Sequence, residues 1–85
     1  MPIRVLLADD EDIVRYGLNS ILQAEPTVSV VGEAQNGEEA IAKTKALQPD
    51  IVLMDILMPV MDGVSATREI CQAYPNTKVI ILSTY

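Results

Sequence analysis

The sequence predicts an α/β domain built on a parallel sheet with helices packed against it. Three observations point there. The runs IRVLLA, IVLM and KVIIL are short and almost wholly apolar, as in strands buried on both faces. Segments of helical period separate them, so strand and helix alternate with short connections. Proline and glycine are scattered singly, and no repeat, low-complexity tract or linker divides the 85 residues. A chain of this length holds one domain.

The first strand is placed at Ile3 to Ala8 and a helix at Glu11 to Ala24. Ile13, Val14, Gly17, Leu18, Ile21 and Leu22 fall on one helical stripe and are expected to face the sheet. Asp10, Glu11 and Asp12 suit the positive end of that helix, and Pro26 follows its finish. Val28 to Ala34 reads as a second strand, with the weaker alternation of an edge. Asn36 is placed as the cap of the next helix, with Glu39 three residues on as in a capping box. This helix runs to about Leu47, with Ala40, Ile41, Thr44 and Leu47 inward, and Pro49 closes it. The third strand is Ile51 to Met54. Met58-Pro59 through Asp62-Gly63 has the composition of a turn-rich loop, with Asp62 at the start of the next helix. That third helix, Val64 to Ala73, offers Val64, Thr67, Ile70 and Cys71 for packing before Pro75-Asn76 breaks it. Lys78 to Leu82 is the fourth strand. Right-handed crossovers place helices on both faces if the strand order reverses.

Composition excludes several classes of function. Lys and Arg number 6 against 12 acids, a net charge of −6, and no basic run exists. The chain therefore lacks the electrostatic footprint for nucleic acid or an anionic membrane. The absence of histidine removes His-dependent nucleophilic catalysis and His-ligated metal sites. A single cysteine, Cys71, allows neither an intrachain disulfide nor a thiolate cluster, and is read as a small core residue. Any metal is then held by oxygen. The start MPIRVLLADD has too few basic residues and too short an apolar run for a signal peptide or a span, so a cytoplasmic protein is expected. Hydrophobic residues make up 49% of the chain, yet Phe and Trp are absent. The mean hydropathy of +0.25 is high for so short a soluble chain.

Open parallel sheets form their sites outside the carboxyl ends of the strands. Here strand one ends at Asp9-Asp10, strand three at Asp55 and strand four at Ser83-Thr84. Capping the first helix accounts for one of Asp9 and Asp10 but not both. Asp55 has no capping duty, because no helix begins behind it. Glu11 and Asp12 read as first-turn acids, and the methionines at 54, 58 and 61 as gap-fillers. Carboxylates brought together repel: each pair at about 4 Å costs about 4 kcal/mol at an effective dielectric constant of roughly 20. Either a bound proton or a divalent cation relieves the site. With oxygen ligands alone, Mg²⁺ with several retained waters fits best. Mg²⁺ with open positions favours phosphate chemistry, in which a neighbouring aspartate serves as nucleophile and becomes an acyl phosphate. A hydroxyl at Ser83 is placed to donate to a phosphoryl oxygen.

The motifs LLADDEDIVRYGL, VVGEAQNGEEAI, PDIVLMDILMPVMDG and KVIILST, in that order, span nearly the whole chain. It resembles the receiver domain of two-component response regulators. The third motif is the specific one, an Asp after an apolar strand followed by M-P-x-M-D-G. VVGEAQNGEEAI and KVIILST are similar to the NarL/FixJ (LuxR-type) subfamily, whose full-length members carry a C-terminal DNA-binding domain. The resemblance implies a doubly wound, flavodoxin-like (CheY-like) sheet of order 2-1-3-4-5. It also implies roles by position. Asp55 matches the phospho-acceptor, Asp10 the main acidic Mg²⁺ ligand, and Asp9 the acid that supports it, partly through water. Leu57 matches the residue whose backbone carbonyl completes the metal site. Ser83 matches the hydroxyl that bonds the phosphoryl group and relays its arrival. A sensor histidine kinase or a small phosphodonor is the implied source. The family continues through a fourth helix, a fifth strand ending in a lysine and a fifth helix. None is among these residues, so residues 1–85 are expected to form a partial receiver of four strands and three helices.

Three functions compete on this basis. The first is a phospho-accepting signalling domain, not a conventional enzyme, that controls a DNA-binding output lying outside the chain. The second is a self-associating fragment without phosphotransfer, in which another copy covers the apolar edge at strand four and the sheet face beside helix one. The third, a Mg²⁺-dependent phosphatase with an Asp nucleophile, is disfavoured because Leu57 stands where such enzymes carry a second acid.

Overall fold

Residues 2–82 are described in the structure, a computed structural model. The elements are β1 (Ile3–Ala8), α1 (Asp12–Gln23), β2 (Val28–Ala34), α2 (Gly37–Leu47), β3 (Ile51–Asp55), α3 (Gly63–Ala73) and β4 (Lys78–Leu82). The strands form one parallel sheet in the order β2-β1-β3-β4. The chain steps one way from β1 to β2, then reverses to reach β3 and β4. Right-handed crossovers therefore put α1 on one face and α2 with α3 on the other. β2 is an edge strand, as its weaker alternation predicts. Its register against β1 slips by one residue, Val5 pairing with Val30 but Leu6 with Gly32, so Val31 is an extra residue in the ladder.

The core lies between the sheet and the α2–α3 layer. Leu6, Ala8, Ala34, Val52 and Met54 meet Ala40, Ala66 and Ile70, all at most 2% exposed. Small residues on the helices let them sit close, and Ile41, Leu47, Met58, Met61, Tyr74 and Val79 pack round the margin. The inward set expected for α2 is found: Ala40 and Thr44 are buried, Ile41 and Leu47 half-buried. Asn36 caps this helix, its side chain accepting from the Glu39 amide at 2.8 Å. The return bond of the capping box differs, since the Glu39 carboxylate takes the Gln35 amide at 3.3 Å. Gln48 ends the helix at φ 47°, directly before Pro49.

Two helices sit rotated from the expected orientation. On α1, Ile13 is 86% and Ile21 70% exposed, while Arg15 is buried. Val14, Gly17, Leu18 and Leu22 are half-buried. The helix turns because Arg15 finds two acceptors at the end of the sheet, the Asp9 carbonyl and Glu33. On α3 the buried positions are Gly63, Ala66 and Ile70; Val64 is 50% exposed and Cys71 is exposed. Gly63 sets this rotation. A Cβ there would stand 2.0 Å from the Asp55 carbonyl oxygen, so only glycine lets α3 start against the end of β3. The Cys71 thiol is therefore not a core group.

The sheet face beside α1 is open towards β4. Leu7, Leu53 and Ile80 are in register across β1, β3 and β4 and share that face. Leu7 is fully buried, Leu53 half-buried and Ile80 47% exposed. Ile81, on the other face of the same edge strand, is 40% exposed.

Candidate functional site

The carboxyl ends of β1 and β3 bring Asp9, Asp10 and Asp55 together. Each offers a carboxylate oxygen, and the three atoms lie within 4.8 Å of one another. Asp55 is the last residue of β3, one beyond the expected strand end, paired in register with Leu82 and 1% exposed. Asp9 is 2% exposed and Asp10 faces solvent. The Asp9 amide donates to the Ala34 carbonyl at 3.0 Å, which ties the β1–α1 turn to the end of β2. Asp9 Oδ1 accepts from the Glu11 amide at 2.8 Å, whereas the buried Oδ2 has no hydrogen-bond partner among the described residues. Burial raises the Asp9 carboxyl above the usual carboxylate range. The charges of Asp55, Asp10 and Glu11 add to this, against the opposing Glu11 N–H. Neither Asp9 nor Asp10 caps α1; Glu11 occupies the cap position.

Behind the acids lies a cation that the apolar stripe concealed. Arg15 Nη1 donates to the Asp9 carbonyl oxygen at 2.6 Å and Nε to Glu33 at 2.9 Å. The second terminal nitrogen pairs with Asp12. Glu33 lies in β2, where its carboxylate also accepts from Asn19 at 3.4 Å. The signal was available: a glutamate inside the strand VSVVGEA needs a partner, and α1 carries one arginine.

The loop after Asp55 is shaped by its ends. The Gly63 amide donates to the Ile56 carbonyl at 2.8 Å, and the Gly37 amide to that of Met61 at 2.9 Å. Met58 and Met61 anchor the loop on the core, as gap-fillers. Between them Val60 has φ 67°, with the Met61 amide bonded to the Pro59 carbonyl at 2.7 Å. This is a γ-turn, strained for a β-branched residue. Leu57, two residues after Asp55, turns its side chain to solvent at 69% exposure. Asp62 starts α3 as expected, accepting from the Ser65 amide at 2.8 Å, and that bond holds its carboxyl below the usual range. Ser83 lies outside the described residues.

Among the described residues no helix is long and apolar enough to cross a membrane. The sequence profile of the response regulator receiver domain matches residues 5–85. The response regulator protein VraR of Staphylococcus saprophyticus is 47% identical over 85 residues, all of this chain and 41% of VraR. The chain thus spans less than half of that relative. Among solved structures, the receiver domain of the putative response regulator NarL from Mycobacterium tuberculosis superposes with a TM-score of 0.91 at 35% identity, covering 99% of this chain and 68% of that one. The CheX–CheY–BeF3–Mg²⁺ complex from Borrelia burgdorferi gives 0.93 at 34% identity, covering 100% and 64%. With its four parallel strands, three helices and acidic edge, the chain belongs to the response regulator receiver family, and its relatives are regulators of the LuxR/NarL type.

Proposed function

We propose that the chain is a phospho-accepting receiver in which Asp55 takes a phosphoryl group with Mg²⁺ bound beside it. The observation that carries this is the convergence of three carboxylate oxygens within 4.8 Å, one residue of the set keeping a buried oxygen without a partner. An all-oxygen donor set with an unsatisfied buried atom fits a hard cation. Asp10 and Asp55 would hold it with the Leu57 carbonyl, and Asp9 would support it, partly through water. When bound, Mg²⁺ neutralises the acids and the charge that develops on the phosphoryl oxygens. An Asp55 carboxylate oxygen attacks phosphorus, the bond to the donor's nitrogen or oxygen breaks, and the donor leaves with that electron pair. The hydroxyl of Ser83 would hold the phosphoryl group. The binding of BeF3 and Mg²⁺ in the Borrelia complex supports the same chemistry here.

The donor is a sensor histidine kinase, and the setting is cytoplasmic. Residues 1–85 act as a partial receiver, and in the longer regulator phosphorylation controls transcription through a DNA-binding part outside the chain. Incubation with acetyl phosphate and Mg²⁺ should retard the chain in a Phos-tag gel and add the mass of one phosphoryl group. Asp55→Asn should abolish both. Absence of any Mg²⁺-dependent shift in a chain extended through a fifth strand rejects the proposal.

A second reading is favoured by the apolar edge. Ile80 and Ile81 leave β4 partly uncovered, and an edge strand of this kind pairs with a second copy. Light scattering at micromolar concentration should show a dimer, and a clean monomer rejects this reading.

A further inference from the structure

We infer that Arg15 is a positioning residue that holds the β1–α1 turn, so that Asp9 and Asp10 converge on Asp55. The inference rests on the cation-site reading above. Arg15 is 7% exposed and its three donors reach three different elements: the Asp9 carbonyl just past β1, Glu33 in β2 and Asp12 in the first turn of α1. A planar fork fixes three directions at once, which a single ammonium cannot do. The carbonyl it grips belongs to the residue whose Oδ2 is buried without a partner. Glu33 is itself held from the side by Asn19, and its backbone carbonyl accepts from Lys43 of α2. The clamp therefore references the acidic turn to the edge strand and, through it, to both layers of helices.

The sign of the charge separates positioning from bulk electrostatics. The guanidinium sits behind the cluster on the Asp9 backbone carbonyl, and its positive charge opposes the arrival of a cation. If Arg15 acted only through its charge, removing it would tighten cation binding. If it acts by holding the turn, removing it loosens binding despite the lost repulsion. Groups that orient ligands from behind typically contribute 10–100-fold to metal affinity.

The test is Mn²⁺ binding to the 85-residue chain, followed by electron paramagnetic resonance of the free ion, with circular dichroism melts reporting the fold. Arg15→Gln should weaken binding by about tenfold or more. Arg15→Lys keeps the charge, loses the fork and should also weaken binding. In that variant, hydrogen exchange at the Glu11 amide should accelerate, because its bond to Asp9 Oδ1 loosens. Should Arg15→Gln fail to fold, the lysine variant decides. Unchanged or tighter binding in a folded variant overturns the role of Arg15 alone. A folded unsubstituted chain that does not bind Mn²⁺ overturns the cation site and this inference with it.

Discussion

The two faces of the sheet are built from the same strands and reach opposite ends. Towards α2 and α3, Leu6 and Val52 are fully buried and Val79 is half-covered. Towards α1, the row one residue along, Leu7, Leu53 and Ile80, runs from full burial to 47% exposure. Strand composition does not cause this, since both rows are aliphatic. The difference lies in how many helices each face receives. Two helices with small inward residues cover the first face except at Ile81 on the β4 edge, 40% exposed; on the second, α1 packs chiefly over β1 and β2. Apolar character thus marks a residue as able to be buried, and topology decides whether it is.

The largest test of the contrast is Gly63→Ala. The added methyl would meet the Asp55 carbonyl oxygen and push α3 off the closed face. We expect a loss of about 3 kcal/mol or more, a large part of the roughly 5–15 kcal/mol that holds a domain folded, read from urea unfolding. Next comes a pair of truncations. Ile70→Ala, at the centre of the closed face, should cost about 2–5 kcal/mol, and Ile80→Ala, on the open row, less than about 1 kcal/mol. Equal costs in thermal melts would show that the second face is covered in solution, and a concentration-dependent midpoint of the unsubstituted chain that Ile80→Ala weakens would identify another copy as the cover.

The site gives a smaller effect with a defined sign. Asp9 has a folded pKa raised above its unfolded value, chiefly by burial. The folded state therefore binds the proton more tightly. Stability from this group is full below about pH 4 and falls as pH rises through the folded pKa. Asp9→Asn should flatten that fall and raise the neutral-pH melting temperature in the presence of a chelator. A melting temperature unchanged across this range in both proteins would remove the burden assigned to Asp9. The smallest effect is Gly17→Ala, at a half-buried position of α1 with room beside it. Beyond its own turn of helix the new methyl meets nothing within 4 Å, so helix propensity dominates and stability should rise by about 0.5–1 kcal/mol. A destabilisation would mean that something already sits against that flank.

Most of the fold was legible because periodicity reports burial, and the strands are buried on a parallel sheet. All seven elements lie within a residue or two of their expected bounds. Asp9, Asp10 and Asp55 could be placed at one edge because parallel strands present their carboxyl ends together. Helix rotation was not legible. Ile13 and Ile21 have the right spacing to face the sheet, yet a polar fork at Arg15 and the confinement of α1 to two strands turned them outward. On α3, contact at one glycine outweighed Val64 and Cys71. Such facts belong to pairs of elements, and a stripe within one helix does not encode them.

The slipped register at Val31 bears on any assembly of the chain. A bulged edge strand bends away from a straight partner and makes a poor template, so β2 and β4 are not equivalent ends of the sheet. Growth that needs both ends cannot proceed. The proposed pairing through β4 would use the same edge on both molecules, related by a two-fold axis, and consume it. Under that proposal the end point would be a closed pair, because the extra valine on the far side of the sheet disfavours filament growth.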